Sequence, residues 1–217
     1  VLDRNGIMLV LLLLCSLGVA AQALDPLWVY RTHLSEGHSV SVSFDGSTIA
    51  VALDKIYIFD GSGEKEWGGY SGNQVAITDN GAYIAAGTDS GIVYLDHSGK
   101  TLWTNSNWSP ANVISMNGNG RYIGVIGNSV VSLYDKEGNL LGQNTSLPAT
   151  ALAVSPDGSM MVVGTQTSIT GLDHDGDEVW SDEAFEIRHL LYSRDGSLVA
   201  AASAYSVLAL NSSGYLL

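Results

Sequence analysis

A single cysteine, Cys15, occurs in 217 residues, and it lies in an apolar stretch near the start. Everything after that stretch therefore has no disulfide, no thiolate nucleophile and no cysteine metal cluster. Positive charge is scarce as well: 9 Lys plus Arg stand against 22 Asp plus Glu, a formal net charge of -13. Too few cations are present to neutralise phosphates, which excludes nucleic acid and an anionic lipid surface as partners. A cationic ion, a basic protein or solubility outside a cell suits this balance better. No HExxH and no GxSxG stands in the chain, and His33, His38, His97, His174 and His189 are scattered without zinc spacing. With 46% hydrophobic residues, the chain nevertheless has enough to build a substantial core.

The one long apolar run is "IMLVLLLLCSLGVAA", residues 7–21, with Arg4 before it and Ala21-Gln22-Ala23 after it. It reads as a secretory signal peptide cleaved after Ala23, or as a retained membrane or assembly anchor, since extension to Leu24 approaches the roughly 20 residues that span a bilayer. Either way the chain divides into residues 1–23, a leader or anchor, and 24–217, one domain outside the cytoplasm. The membrane is reached only through residues 7–23, if they are kept.

From residue 38 a phrase recurs five times. Its first turn glycines are Gly46, Gly81, Gly120, Gly158 and Gly196, its second Gly63, Gly99, Gly138, Gly176 and Gly214, spaced 35 to 39 residues apart. Short alternating runs such as "VSVSF" and "ALAVS" mark a first strand, Asp-Gly or Asn-Gly makes a hairpin, and a nearly continuous apolar run such as "YIAAGT" marks a second strand covered on both faces. A third strand ends in Asp60, Asp96, Asp135, Asp173 or Asn211, placed to close an Asx turn, and the chain returns as an outer strand carrying Trp67, Trp103 or Trp180. Such a period carried by short strands predicts an all-β protein, a five-bladed β-propeller of four-stranded antiparallel blades.

The fifth unit stops at "GYLL", while "DPLWVYRT", residues 25–32, has outer-strand character with Trp28 in place. Its pairing with the last blade would close the ring and remove two sheet edges. The alternative is a piece of a six- to eight-bladed protein.

"SPDGSMMVVGT", residues 155–165, resembles the first hairpin of WD-repeat propellers, and "VYLDHSGKTLW", residues 93–103, resembles the DxxGxxxW signature of quinoprotein-like (PQQ-like) propellers. The resemblance covers residues 25–217 and implies the scaffold. It does not carry over chemistry: the WD dipeptide and the vicinal cysteines that quinoprotein dehydrogenases often use are absent, and Gly142 replaces the tryptophan of the third unit.

No catalytic, cofactor or metal residue is therefore assigned. "DHDGDE", residues 173–178, is dense in carboxylates, but Asp173 and Gly176 hold ordinary turn positions, and a solvated turn accounts for it better than calcium. The first strands offer Ser41, Ser43, Ala76, Thr78, Ser115, Ala153 and Ser155, small groups suited to a narrow central channel. The inter-blade loops gather on one face, where Tyr30, His33, Tyr70, Trp108 and Phe185 would form a contact patch. Asn107, Asn144 and Asn211 match the N-glycosylation pattern. These readings predict a non-enzymatic exported or cell-surface scaffold that binds protein or glycan on the loop face, in keeping with a prokaryotic envelope, an archaeal one included. The alternatives are a structural subunit of a surface assembly or homo-oligomer held by residues 7–23, and a small propeller enzyme using the channel.

Overall fold

The computed structural model describes residues 27–30, 38–107 and 109–217. The chain falls into two units, Val1–Tyr30 and Arg31–Leu217. Of the first, residues 27–30 are described and carry no strand. The apolar run at 7–21, His33 and Trp108 lie outside the described residues.

Each repeat becomes one antiparallel sheet whose strands follow chain order. Blade one is β1 (Ser39–Val42), β2 (Thr48–Ala52), β3 (Ile56–Asp60) and β4 (Lys65–Gly69). Blade two is β5 (Gly72–Ile77), β6 (Tyr83–Thr88), β7 (Gly91–Asp96) and β8 (Thr101–Asn105). Blade three is β9 (Ala111–Met116), β10 (Tyr122–Gly127), β11 (Val130–Asp135) and β12 (Leu140–Asn144). Blade four is β13 (Ala151–Val154), β14 (Met160–Gly164), β15 (Ser168–Asp173) and β16 (Glu178–Glu183). Blade five has three strands, β17 (His189–Tyr192), β18 (Leu198–Ala202) and β19 (Val207–Asn211). The described part is thus all-β and propeller-like, with four four-stranded sheets and one three-stranded sheet.

The turns follow from side-chain chemistry. Asp96 Oδ1 accepts the N–H groups of Ser98 and Lys100, both at 3.0 Å, while Gly99 takes a positive φ of 81°. Asp60, Asp135, Asp173 and Asn211 repeat that arrangement. Beyond the turn a register shift sets two residues of the outer strand against one of the third strand in blades one to four. Such a bulge resets the alternation of faces for the residues that follow. A Cβ added to Gly99, Gly138 or Gly214 would run into Trp67, Trp103 or Trp180 of the preceding blade.

The core lies between blades. One cluster joins Ala50, Ile56 and Ile58 of blade one to Val75, Ile84 and Leu95 of blade two. Three more join blades two and three, three and four, and four and five. Each fully buried Ile or Leu in them contributes about 1.5–3 kcal/mol, so neighbouring blades hold one another.

One expectation needs correction in part. Ser115 and Ala153 do line an open cavity, but Ser43, Thr78 and Ser155 are buried inside their hairpins. Thr78 Oγ1, for instance, donates to Asn80 Oδ1 at 2.9 Å and accepts from the N–H of Tyr83 at 3.0 Å. A tight hairpin leaves an N–H facing inward, and a short hydroxyl is the group that can satisfy it. Ser41 and Ser115 instead accept the N–H groups of Ile77 and Val154 in the next blade, at 3.2 and 3.1 Å. The fifth unit stops short of a fourth strand: after its last turn Leu216 makes an isolated bridge to Leu210, and the Leu217 N–H bonds the Ala209 carbonyl at 2.9 Å.

Candidate functional site: the inter-blade loop face

The turn between second and third strands and the connection into the next blade share one end of each sheet. In blade four, backbone bonds make this explicit: the N–H groups of Ala184, Glu186 and Ile187 bond the carbonyls of Thr167, Gln166 and Thr165 at 3.1, 2.9 and 3.1 Å. Glu186 takes a left-handed φ of 48° to fit this path. Ala184 and Ile187 are buried, and Phe185 between them is turned outward, 79% exposed. A large apolar side chain is therefore presented to solvent from a backbone fixed on both sides. Around it Asp182, Glu183 and Glu186 are exposed, with Arg188 3.3 Å from Glu186.

Tyr70 is placed differently. Its carbonyl takes the Ile56 N–H at 2.9 Å, and its hydroxyl is 2.7 Å from Thr101 Oγ1 at the start of β8. With its ring 6.2 Å from Trp67, it leans along the outer edge of blade two and is half exposed. Tyr30 belongs to the separately described unit and is also half exposed. Of the five residues assigned to a loop-face patch, Phe185 alone is an outward anchor on a described inter-blade loop.

The other loops are held closely. Ser109 Oγ donates to the Asp89 carbonyl, and Thr150 Oγ1 donates to the Ile187 carbonyl at 2.9 Å. Asn144 accepts the N–H groups of Ser146 and Leu147 and donates to the Gly176 carbonyl at 3.0 Å, so its amide nitrogen is engaged. Asn211 is bound into its turn, whereas Asn107 is exposed.

Gly142, where the repeat has tryptophan, has a geometric reason. A Cβ there would strike the backbone of His174 and Asp175. Without it, the Gln143 N–H reaches the Asp175 carbonyl at 3.2 Å, so backbone contact replaces the ring.

At the opposite end, five residues that precede the first turns meet at a hub: Phe44, Asp79, Gly118, Pro156 and Arg194. Phe44 N–H bonds the Asp79 carbonyl and Asp79 N–H the Gly118 carbonyl, both at 2.8 Å. Arg194 Nη2 is 2.9 Å from Asp79 Oδ2, and its guanidinium lies 3.7 Å from the centre of the Phe44 ring. Beneath them an open cavity of about 670 Å³ is lined by these residues with Ile77, Met116, Val154 and Leu190. A smaller recess of about 380 Å³ lies between the hairpins of blades four and five. Tyr192, on its wall, has a hydroxyl pushed up to about 12 by burial and by the charge of Asp157. Sequence reasoning missed the hub; its signal was the aligned column before each Asp-Gly or Asn-Gly, where Arg194 is the one cation.

In the 173–178 turn Asp173 Oδ1 accepts the N–H groups of Asp175 and Asp177, Asp175 Oδ1 lies 3.4 Å from His174 Nδ1, and among the described residues no three His, Cys, Asp or Glu side chains stand together to hold a metal ion. The match that places the protein runs over residues 70–206, from the connection into blade two to the turn before β19. The chain belongs to a family of unknown function (DUF5711). No curated protein matches it. The DUF5711 stretch thus contains Phe185, Tyr70, Gly142 and all of the hub except Phe44.

Proposed function

We propose that this protein is an exported, cell-surface propeller that acts as a protein- or glycan-binding scaffold and not as an enzyme, with its partner seated on the inter-blade loop face. The observation that carries the reading is Phe185: large, apolar, 79% exposed, and held by three backbone bonds that fix its direction. An anchor whose backbone is already ordered loses less freedom on binding. Its surround of Asp182, Glu183 and Glu186, in a chain of net charge -13, favours a basic protein segment that sets an apolar residue on the ring and cations on the carboxylates. Export rests on the leader at residues 7–21 and on a cysteine-free remainder.

The test is capture from envelope extracts by the immobilised full chain, wild type against Phe185→Ser, with Val179→Ser on the exposed rim as control. A basic protein whose recovery falls about tenfold with Phe185→Ser alone supports the reading, since an interface anchor is worth more than about 1.4 kcal/mol. Equal recovery by both variants and wild type would remove Phe185 as the anchor.

A further inference from the structure

In blades two to four the first turn glycine packs against a side chain of the blade before it. A Cβ on Gly81 would press on Thr48, one on Gly120 on Thr78 and Tyr94, and one on Gly158 on Tyr122, each closer than 3.0 Å. Gly196 of blade five differs: its Cβ would meet only Pro156, at 3.4 Å, an ordinary contact. The sequence of blade four accounts for the room. Met160 stands where blades two and three have Tyr83 and Tyr122, and Gly171 stands where blade two has Tyr94, whose hydroxyl donates to the Gly120 carbonyl of the next blade at 2.9 Å. No tyrosine of blade four reaches Gly196, and the recess of about 380 Å³ opens between the first hairpins of blades four and five. Its volume falls within the roughly 300–1,000 Å³ of small-ligand sites.

The lining has two characters. Pro156, Met160 and Tyr192 supply apolar surface, while Asp157 and Asp195 supply carboxylates beside the hydroxyls of Ser159 and Ser213. The hairpin serines bond one oxygen of each carboxylate: Asp157 Oδ1 accepts from the Ser155 and Ser159 hydroxyls at 2.7 and 2.8 Å, and Asp195 Oδ1 from those of Ser193 and Ser197 at 2.6 and 2.8 Å. Oδ2 of each is left to accept from a ligand. On the wall, Tyr192 Oη is buried and has no hydrogen-bond partner among the described residues. Val42, Ile77, Met116 and Val154 end the first strands of the other four blades in the same place, so packing there does not call for a hydroxyl. A buried hydroxyl left unpaired is costly, and blade five keeps one.

We infer that this recess binds one neutral sugar unit of a glycan, held by Oδ2 of Asp157 and Asp195 and by the Tyr192 hydroxyl, with its C–H face on Met160 and Pro156. Sugar hydroxyls both donate to carboxylate oxygens and accept from serine and tyrosine hydroxyls. An anionic ligand would be repelled by the two carboxylates, and an ammonium group would engage them while leaving the apolar lining bare. Because the Tyr192 hydroxyl is covered, the sugar reaches it by displacing part of the lining, and Met160, unbranched and half-buried, is the residue able to move aside. The recess lies at the end of the sheets opposite Phe185, and the inference does not rest on that anchor.

The experiment titrates the full chain, isotope-labelled at its methionine methyl groups, with the methyl glycosides of glucose, galactose, mannose and N-acetylglucosamine, and separately with acetyl-lysine amide. The Met160 resonance, identified by its loss in Met160→Leu, is expected to shift and saturate with at least one glycoside. Tyr192→Phe should fold as stably as wild type, since its hydroxyl has no partner to lose, and should bind that glycoside about tenfold more weakly. Met160→Tyr, which gives blade four the residue of blade three, should abolish binding. No shift of Met160 with any glycoside at about 50 mM overturns the inference. Equal affinity of wild type and Tyr192→Phe also overturns it, whether or not Met160→Tyr folds. Saturation by acetyl-lysine amide and by no glycoside overturns it in favour of a basic side chain. None of these results bears on capture through Phe185, so the two readings fail separately.

Discussion

Arg194 of blade five and Asp79 of blade two meet across the hub, Nη2 to Oδ2 at 2.9 Å, with the guanidinium stacked on Phe44. Both partners keep much of their side chains in water, 59% and 43% exposed. An exposed pair of this kind contributes about 0.2–1 kcal/mol, and a cation over an aromatic face about 0.5–1 more. Arg194→Ala is expected to lower stability by about 1 kcal/mol in urea denaturation. Asp79→Asn should cost less, and its deficit should vanish near 1 M salt, where the screening length is about 3 Å. A deficit that persists at high salt would show that Asp79 acts through something other than charge.

The hairpin carboxylates fix an acid limit. The Ser47 N–H and the Ser43 hydroxyl hold Asp45 down at about 2, and the Ser193 hydroxyl with the Ser197 N–H does the same for Asp195. Asp60, Asp96 and Asp157 are also lowered, chiefly by the hydroxyls of Ser62, Ser98 and Ser155. Folded values below the unfolded 3.8 mean that their stabilisation is whole above that pH and is lost as pH falls toward about 2. Acid unfolding followed by circular dichroism should begin near pH 4 and steepen toward pH 2, and Asp45→Asn with Asp195→Asn should flatten that window. Onset above about pH 5 would point to another group.

Thr78 offers a test of the buried hydroxyls. It is fully buried and accepts the Tyr83 N–H at 3.0 Å. Thr78→Val keeps the shape and strands that N–H, so a loss of about 1–3 kcal/mol is expected, with Thr78→Ser recovering most of it. Equal stability of the valine variant would mean that the N–H finds another acceptor.

Gly142→Trp would restore the repeat's own residue and should still destabilise, by more than about 2 kcal/mol, because the side chain would enter the backbone of residues 174–175. Gly142→Ala should already show part of that loss. Denaturant midpoints of both variants check it.

The strands, hairpins and Asx turns were legible in the sequence because each depends on residues within a few positions of one another. Asp96, Ser98, Gly99 and Lys100 make one turn whatever lies beyond it. The period of 35 to 39 residues then dictated the stacking of like sheets, since a sheet with two apolar faces must be covered on both. Phe185 was likewise visible as an aromatic in an inter-blade stretch, but its outward direction came from three bonds to a turn about 20 residues earlier in the chain. What each face of a blade touches is a long-range property, and local pattern is silent on it. Val40 and Val75 occupy the same place in the same phrase, yet one is 65% exposed and the other 5%, because among the described residues blade one packs against the second. The hub pairing of Arg194 with Asp79 and the room that Gly142 leaves for Asp175 were decided in the same way, by neighbours that only the folded chain brings together.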